Sequence, residues 1–147
     1  MSWFRRKPAA TEQKIEAPTD TERDWVRANV ELARDLTGGE LTPEALDAAY
    51  ARWLEQWLTT PEDQRDDPNL YVNAFGLGFG QLLVDELGLE WAVVSDELGT
   101  EIAVHGQPGD VLVFPPNLVG KRLESGETGF FAPLFAAIRG RVTELRD

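Results

Sequence analysis

Residues 67–91 read DPNLYVNAFGLGFGQLLVDELGLEW, and the rest of the chain is arranged around them. Asp67 can cap a helix, and Pro68 stands at the first helical position, where its missing N–H is not needed. Gly88 follows the last apolar turn, the place of a left-handed cap residue. Between these ends the apolar positions recur at helical spacing: Phe75, Phe79, Leu82 and Leu83. The stretch therefore predicts a central helix that leads into a strand.

Three glycines inside this helix need a physical explanation. Gly76, Gly78 and Gly80 each cost roughly 0.5–1 kcal/mol relative to alanine. Gly76 and Gly80 are four residues apart and lie on one face, where a second backbone or a flat aromatic ring could approach closely. Alternatively this face lines a site. A dinucleotide-binding loop is disfavoured, because its third glycine would be Gln81 and no strand precedes the motif.

Two more helices are predicted before the central one. Thr19 and Glu22 form a capping-box pattern at the start of the first. Its apolar stripe is predicted to comprise Trp25, Asn29, Leu32, Ala33 and Leu36. Thr42 and Pro43 open the second helix. The short link through residues 37–39 predicts that these helices form an antiparallel hairpin.

After residue 90 the apolar period changes from helical to alternating. Strands are predicted at 91–95, 100–105 and 111–114, and residues 118–123 are read as a short edge strand or a helical turn. The last stripe predicts a C-terminal helix: Phe131, Leu134, Phe135, Ile138, Val142 and Leu145. The predicted fold is α+β, with three N-terminal helices, a three- to four-stranded antiparallel meander and a C-terminal helix packed on the sheet. Residues 1–18 are predicted to be a disordered basic tail, and 19–147 a single α+β domain.

Charge limits the classes of partner. The chain has 147 residues and a formal net charge of −12, and its first 18 residues contribute +2. An acidic body repels phosphates, so we expect no nucleic-acid binding. The acidity fits either a solvated acidic surface, which is the more common case, or a basic protein partner. The absence of cysteine suits a cytoplasmic location. The basic start is not followed by an apolar core, so neither a secretion signal nor stable membrane insertion is expected.

Few residues suggest chemistry. His105 is the single histidine, and no nucleophile, metal or cofactor motif accompanies it, so no catalytic residue, metal or cofactor is expected. Lys121 and Arg122 form a basic pair that could contact an anion, with Asp96 as a possible counter-charge. The alternative is a surface ion pair, and a lone histidine at a strand end is usually structural. The candidate binding residues are thus Lys121, Arg122, Asp96 and His105.

Several of these features occur together over roughly residues 45–125. They comprise Gly80 and Gly88 in a helix, Trp91 opening the strand, Asp96 and Gly99 in the turn, Phe114-Pro115, Val119 and Lys121-Arg122. Together they resemble a bacterial family catalogued as domain of unknown function 3806. The resemblance implies a small domain without an established activity, so it assigns no catalytic residue.

Three hypotheses follow from the sequence. The first is a non-enzymatic protein-binding module, immunity- or adaptor-like, that engages a basic protein. The second is a small anionic-ligand binder or enzyme with a cleft beside the glycine-rich helix. The third is a homodimeric structural domain, so that monomer and homodimer both stay open.

Overall fold

The computed structural model describes residues 13–146, which form an α+β fold with five helices and one antiparallel sheet. The helices are α1 (Asp20–Leu36), α2 (Pro43–Thr59), α3 (Pro68–Leu87), α4 (Pro115–Ser125) and α5 (Phe131–Arg146). The strands are β1 (Lys14–Glu16), β2 (Glu90–Asp96), β3 (Gly99–Gly106) and β4 (Val111–Val113). They are ordered β1-β2-β3-β4, and each neighbouring pair is antiparallel.

Helix α3 has the ends that its sequence predicts. The Asp67 carboxylate accepts a hydrogen bond from the backbone N–H of Asn69 at 2.9 Å, and Pro68 is the first helical residue. Gly88 ends the helix in the left-handed conformation at φ 68°. More than half of the helix is buried, so it forms the centre of the molecule.

The glycines of α3 allow close packing. A methyl group on Gly76 would lie 2.7 Å from the Cα of Pro116, which is backbone. The Trp91 ring lies so close to Gly80 that the same substitution there would overlap it. One glycine thus admits a second backbone and the other a flat ring, and the face between them packs internally.

Helix α1 packs on α3, and the predicted hairpin with α2 is wrong. Gly78, the remaining glycine of α3, allows α1 to pack this closely on α3. A methyl group on Gly78 would lie 2.6 Å from the Cβ of Ala33 in α1. The buried residues of α1 are Val26, Val30 and Ala33. Ala33 and Leu36 of the predicted stripe do face the core. Its first two positions are displaced by one residue, since Val26 and Val30 are buried and Trp25 is 44% exposed.

Two short elements complete the fold, one unpredicted and one left open between two alternatives. Residues 14–16, predicted to belong to a disordered tail, pair with β2 as an edge strand. Residues 1–12 of the predicted tail lie outside the described part. For residues 118–123 the helical alternative is correct and the edge strand is wrong, since they belong to α4, which begins at Pro115. The two prolines occupy the first turn of this helix, where they need no N–H partner.

Helix α5, which was predicted to pack on the sheet, packs chiefly against α2 and α3. Its N-terminus is fixed by Asp47 of α2. The two carboxylate oxygens of Asp47 accept hydrogen bonds from the backbone N–H groups of Phe131 and Ala132, at 2.8 and 3.0 Å. This carboxylate therefore caps a helix that lies 84 residues later in the chain.

An aromatic cluster fills the space between α2, α3 and α5. The Tyr50 ring is fully buried and makes edge contacts with the rings of Phe75, Phe130 and Phe131 at centroid distances of 5.1–6.0 Å. Such edge-to-face pairs add stability beyond the apolar area that they bury. The cluster joins the helices into one core.

Candidate functional site

The four residues proposed from sequence do not form one site. Asp96 and His105 belong to opposite ends of the β2–β3 hairpin, six residue pairs apart, which corresponds to about 20 Å. The Asp96 carboxylate accepts a hydrogen bond from the backbone N–H of Leu98 at 2.8 Å and shapes the turn. His105 Nε2 lies 3.1 Å from an oxygen of Asp110, across the β3–β4 turn. Both contacts are local and shape turns.

The two residues of the basic pair, Lys121 and Arg122, differ in burial. Lys121 is exposed on α4, whereas Arg122 is 5% exposed. The Arg122 guanidinium donates to the carbonyl of Leu118 at 3.4 Å, lies 3.9 Å from Glu127 and stands over the Phe130 ring at 5.8 Å. It therefore connects α4 to the segment that follows it. Of these two side chains, that of Lys121 is the more accessible to an anion in solution.

A groove at the N-terminal half of α1 contains a different set of polar groups. We call it the Trp25 groove, and its volume is about 300 Å³. It lies between α1, the β2–β3 hairpin and the region where α3 meets α4. Its lining comprises Glu22, Trp25, Asn73, Val93, Thr100, Glu101, Ile102, Phe114, Pro116 and Asn117. The groove combines an exposed indole ring, two carboxylates and two amides.

Local structure fixes one carboxylate of this groove in position. Glu22 belongs to the capping box of α1, and its Oε1 accepts the backbone N–H of Thr19 at 2.7 Å. The Thr19 hydroxyl in turn accepts the backbone N–H of Glu22 at 3.2 Å. The Glu22 side chain is therefore oriented without using Oε2, which can accept a further hydrogen bond.

The sequence alone did not indicate the Trp25 groove. Trp25 was assigned to the apolar stripe because it stands at helical spacing from Ala33. Val26 and Val30 have the same four-residue spacing and are buried instead. Two overlapping stripes leave the rotation of a helix undetermined, and only packing on α3 distinguishes them. Asn73 and Thr100 lie far apart in sequence, so only the fold brings them together.

Other classes of site have less support within the described residues. No three histidine or acidic side chains of residues 13–146 are grouped so that they could hold a metal ion. None of the helices in this range combines the length and apolar character that crossing a bilayer requires.

Comparison with known proteins places the chain in a family. No curated protein and no solved structure is significantly similar to it. The family model described as "Domain of unknown function (DUF3806)" matches residues 51–135, more than half of the chain. The match includes α3, the β2–β3 hairpin and α4. It also includes Gly76 and Gly80 with their packing partners Pro116 and Trp91. The chain therefore belongs to the family of domain of unknown function 3806.

Proposed function

We propose that this protein is a non-enzymatic protein-binding module that receives a basic segment of a partner in the Trp25 groove. One observation carries the proposal: Trp25, a residue that is 44% exposed, borders a groove with two carboxylates. A guanidinium or ammonium group is attracted both to the face of an indole ring and to carboxylates.

Net charge supports the same class of partner. A chain of net charge −12 attracts basic proteins over several ångströms and accelerates their encounter. Charge alone confers no specificity, so the groove has to select the segment. Asn73 and Asn117 can contribute by accepting and donating hydrogen bonds to a peptide backbone. The absence of cysteine suits a partner in a reducing compartment such as the cytoplasm.

The test uses a fluorescein-labelled peptide with two arginines and no acidic residue, measured by fluorescence anisotropy. In the groove variant, Trp25→Ala is combined with Glu22→Gln, because glutamine can keep the capping box of α1. We expect the variant to weaken binding about tenfold or more, equivalent to the loss of about 1.4 kcal/mol. Binding by the original chain should also weaken as NaCl rises from about 0.05 M to about 0.5 M.

The control removes one exposed apolar and one exposed acidic side chain away from the groove. Leu58→Ala with Glu55→Gln makes this change in the last turns of α2. We expect this control to bind the peptide nearly as well as the original chain. If both variants weaken binding equally, the peptide is attracted by the overall negative charge alone. That result would overturn the Trp25 groove as the binding site.

A further inference from the structure

We propose that a second groove, on the other side of α1, is a binding site for an organic anion with at least two negative charges and a flat apolar body. We call it the arginine groove, and its volume is about 380 Å³. It is lined by Pro18, Arg23, Val26, Arg27, Val30, Glu31, Arg34, Gln81 and Trp91. It shares no lining residue with the Trp25 groove, and the inference is independent of the proposed function.

Helical spacing aligns the three arginines. Arg27 follows Arg23 by four residues and precedes Arg34 by seven, so all three lie along one face of α1. With a rise of 1.5 Å per residue, their Cα atoms are about 6 Å and about 10 Å apart along the axis. A ligand with two separated anionic groups can therefore contact two guanidinium groups at once.

The arginine groove is basic although the protein is acidic. Three arginines and one glutamate, Glu31, line it, whereas the whole chain has a net charge of −12. Arg27 pairs with the exposed Asp24 at 2.8 Å. Within residues 13–146, Arg23 and Arg34 have no carboxylate at ion-pair distance. Like charges four residues apart repel each other on a helix, and a bound anion would relieve this repulsion.

The opposite wall is flat, apolar and held in place. The Trp91 indole Nε1 donates a hydrogen bond to Gln81 Oε1 at 3.1 Å, and Gln81 Nε2 donates to Asp85 at 2.8 Å. The ring of Trp91 also lies directly against Gly80. One hydrogen bond, whose acceptor Gln81 is itself held by Asp85, and one close packing contact thus fix this ring. A planar ligand can therefore pack against it without ordering a mobile side chain.

Calorimetry with three probes tests the ligand class. Isophthalate has two carboxylates on a ring, benzoate has one carboxylate on a ring, and inorganic pyrophosphate has charge without a ring. We expect isophthalate to bind more tightly than either of the others at low ionic strength. Tighter binding of pyrophosphate would overturn the flat-body requirement, and absence of heat with all three probes would overturn the site.

Paired substitutions test the location. Arg23→Gln with Arg34→Gln should weaken isophthalate binding about tenfold or more. The matched control, Arg139→Gln with Arg141→Gln, removes the same charge from exposed positions of α5 and should leave binding nearly unchanged. Equal weakening in both would assign the effect to overall charge and overturn the site.

A second measurement does not depend on these variants. The indole N–H resonance of Trp91, assigned by its loss in Trp91→Phe, should shift on titration with isophthalate in the original chain. If this resonance stays unchanged while other indole signals move, the ligand binds elsewhere and the inference is wrong.

Discussion

At the scale of single residues, Tyr50 combines complete burial with an ionisable group. Burial disfavours the phenolate and raises the pKa of Tyr50 to about 12. The folded state therefore holds this proton more tightly than the unfolded state, whose tyrosine pKa is about 10. The resulting stabilisation is complete below about pH 10 and is lost as pH rises toward 12.

Tyr50→Phe should remove this pH dependence, because phenylalanine keeps the ring contacts and has no proton to lose. We expect the free energy of unfolding of the original chain to fall between pH 8 and pH 11, and that of the variant to fall less. Urea unfolding at the two pH values measures the difference. Tyr71→Phe, which changes the other tyrosine, is the control and should behave like the original chain. An equal fall in all three proteins would contradict the assignment to Tyr50.

Residue-level prediction from sequence succeeded where the cause is local. The capping box of Thr19 and Glu22, and the left-handed Gly88, depend only on neighbouring residues, and both are present. The candidate site residues are different, because the pattern around His105 could not show that Asp110 lies beside it. Arg122 is likewise buried partly because the Phe130 ring lies against it. The local sequence around Arg122 does not determine where Phe130 lies.

At the scale of elements, two glycine substitutions should have opposite effects. Gly76→Ala places a methyl group against the backbone of Pro116, which cannot rotate away, so we expect destabilisation by about 1–3 kcal/mol. Gly140→Ala occupies an exposed position of α5 with no atom within 4 Å, so we expect stabilisation by about 0.5–1 kcal/mol. Thermal and urea unfolding of both variants test this pair. Stabilisation by Gly76→Ala would show that α4 does not pack against α3 as described.

The elements that sequence missed are those with weak local patterns. β1 has three residues and depends on pairing with β2, which the chain reaches more than 70 residues later. Helix α4 begins at Pro115, its N-cap residue Phe114 provides no side-chain cap, and its two prolines also fit the end of a strand. By contrast, the β2–β3 hairpin was predicted correctly in outline, because alternation and a turn glycine are both local signals.

At the scale of the whole molecule, the family match and the structural unit have different limits. Residues 51–135 begin inside α2 and end inside α5. Such a fragment lacks Tyr50, Ile138 and Val142 of the core, and α1 no longer covers Leu77. The match therefore defines less than a complete hydrophobic core.

Expression of two fragments tests this view. We expect residues 13–146 to unfold cooperatively, with dispersed amide resonances. Residues 51–135 should lose cooperative unfolding and bind a hydrophobic dye, because their exposed apolar surface lacks its partners. A cooperative transition in the shorter fragment would show that α1 and the missing parts of α2 and α5 are additions to an independent core.

The cap made by Asp47 also has a consequence for biosynthesis. Since the ribosome adds residues from the N-terminus, Asp47 emerges 84 residues before Phe131, whose backbone it binds. Tyr50 likewise lacks its contacts with the rings of Phe130 and Phe131 until those residues have been synthesised. During most of translation the nascent chain thus presents an incomplete aromatic core, which a chaperone can shield until α5 is made.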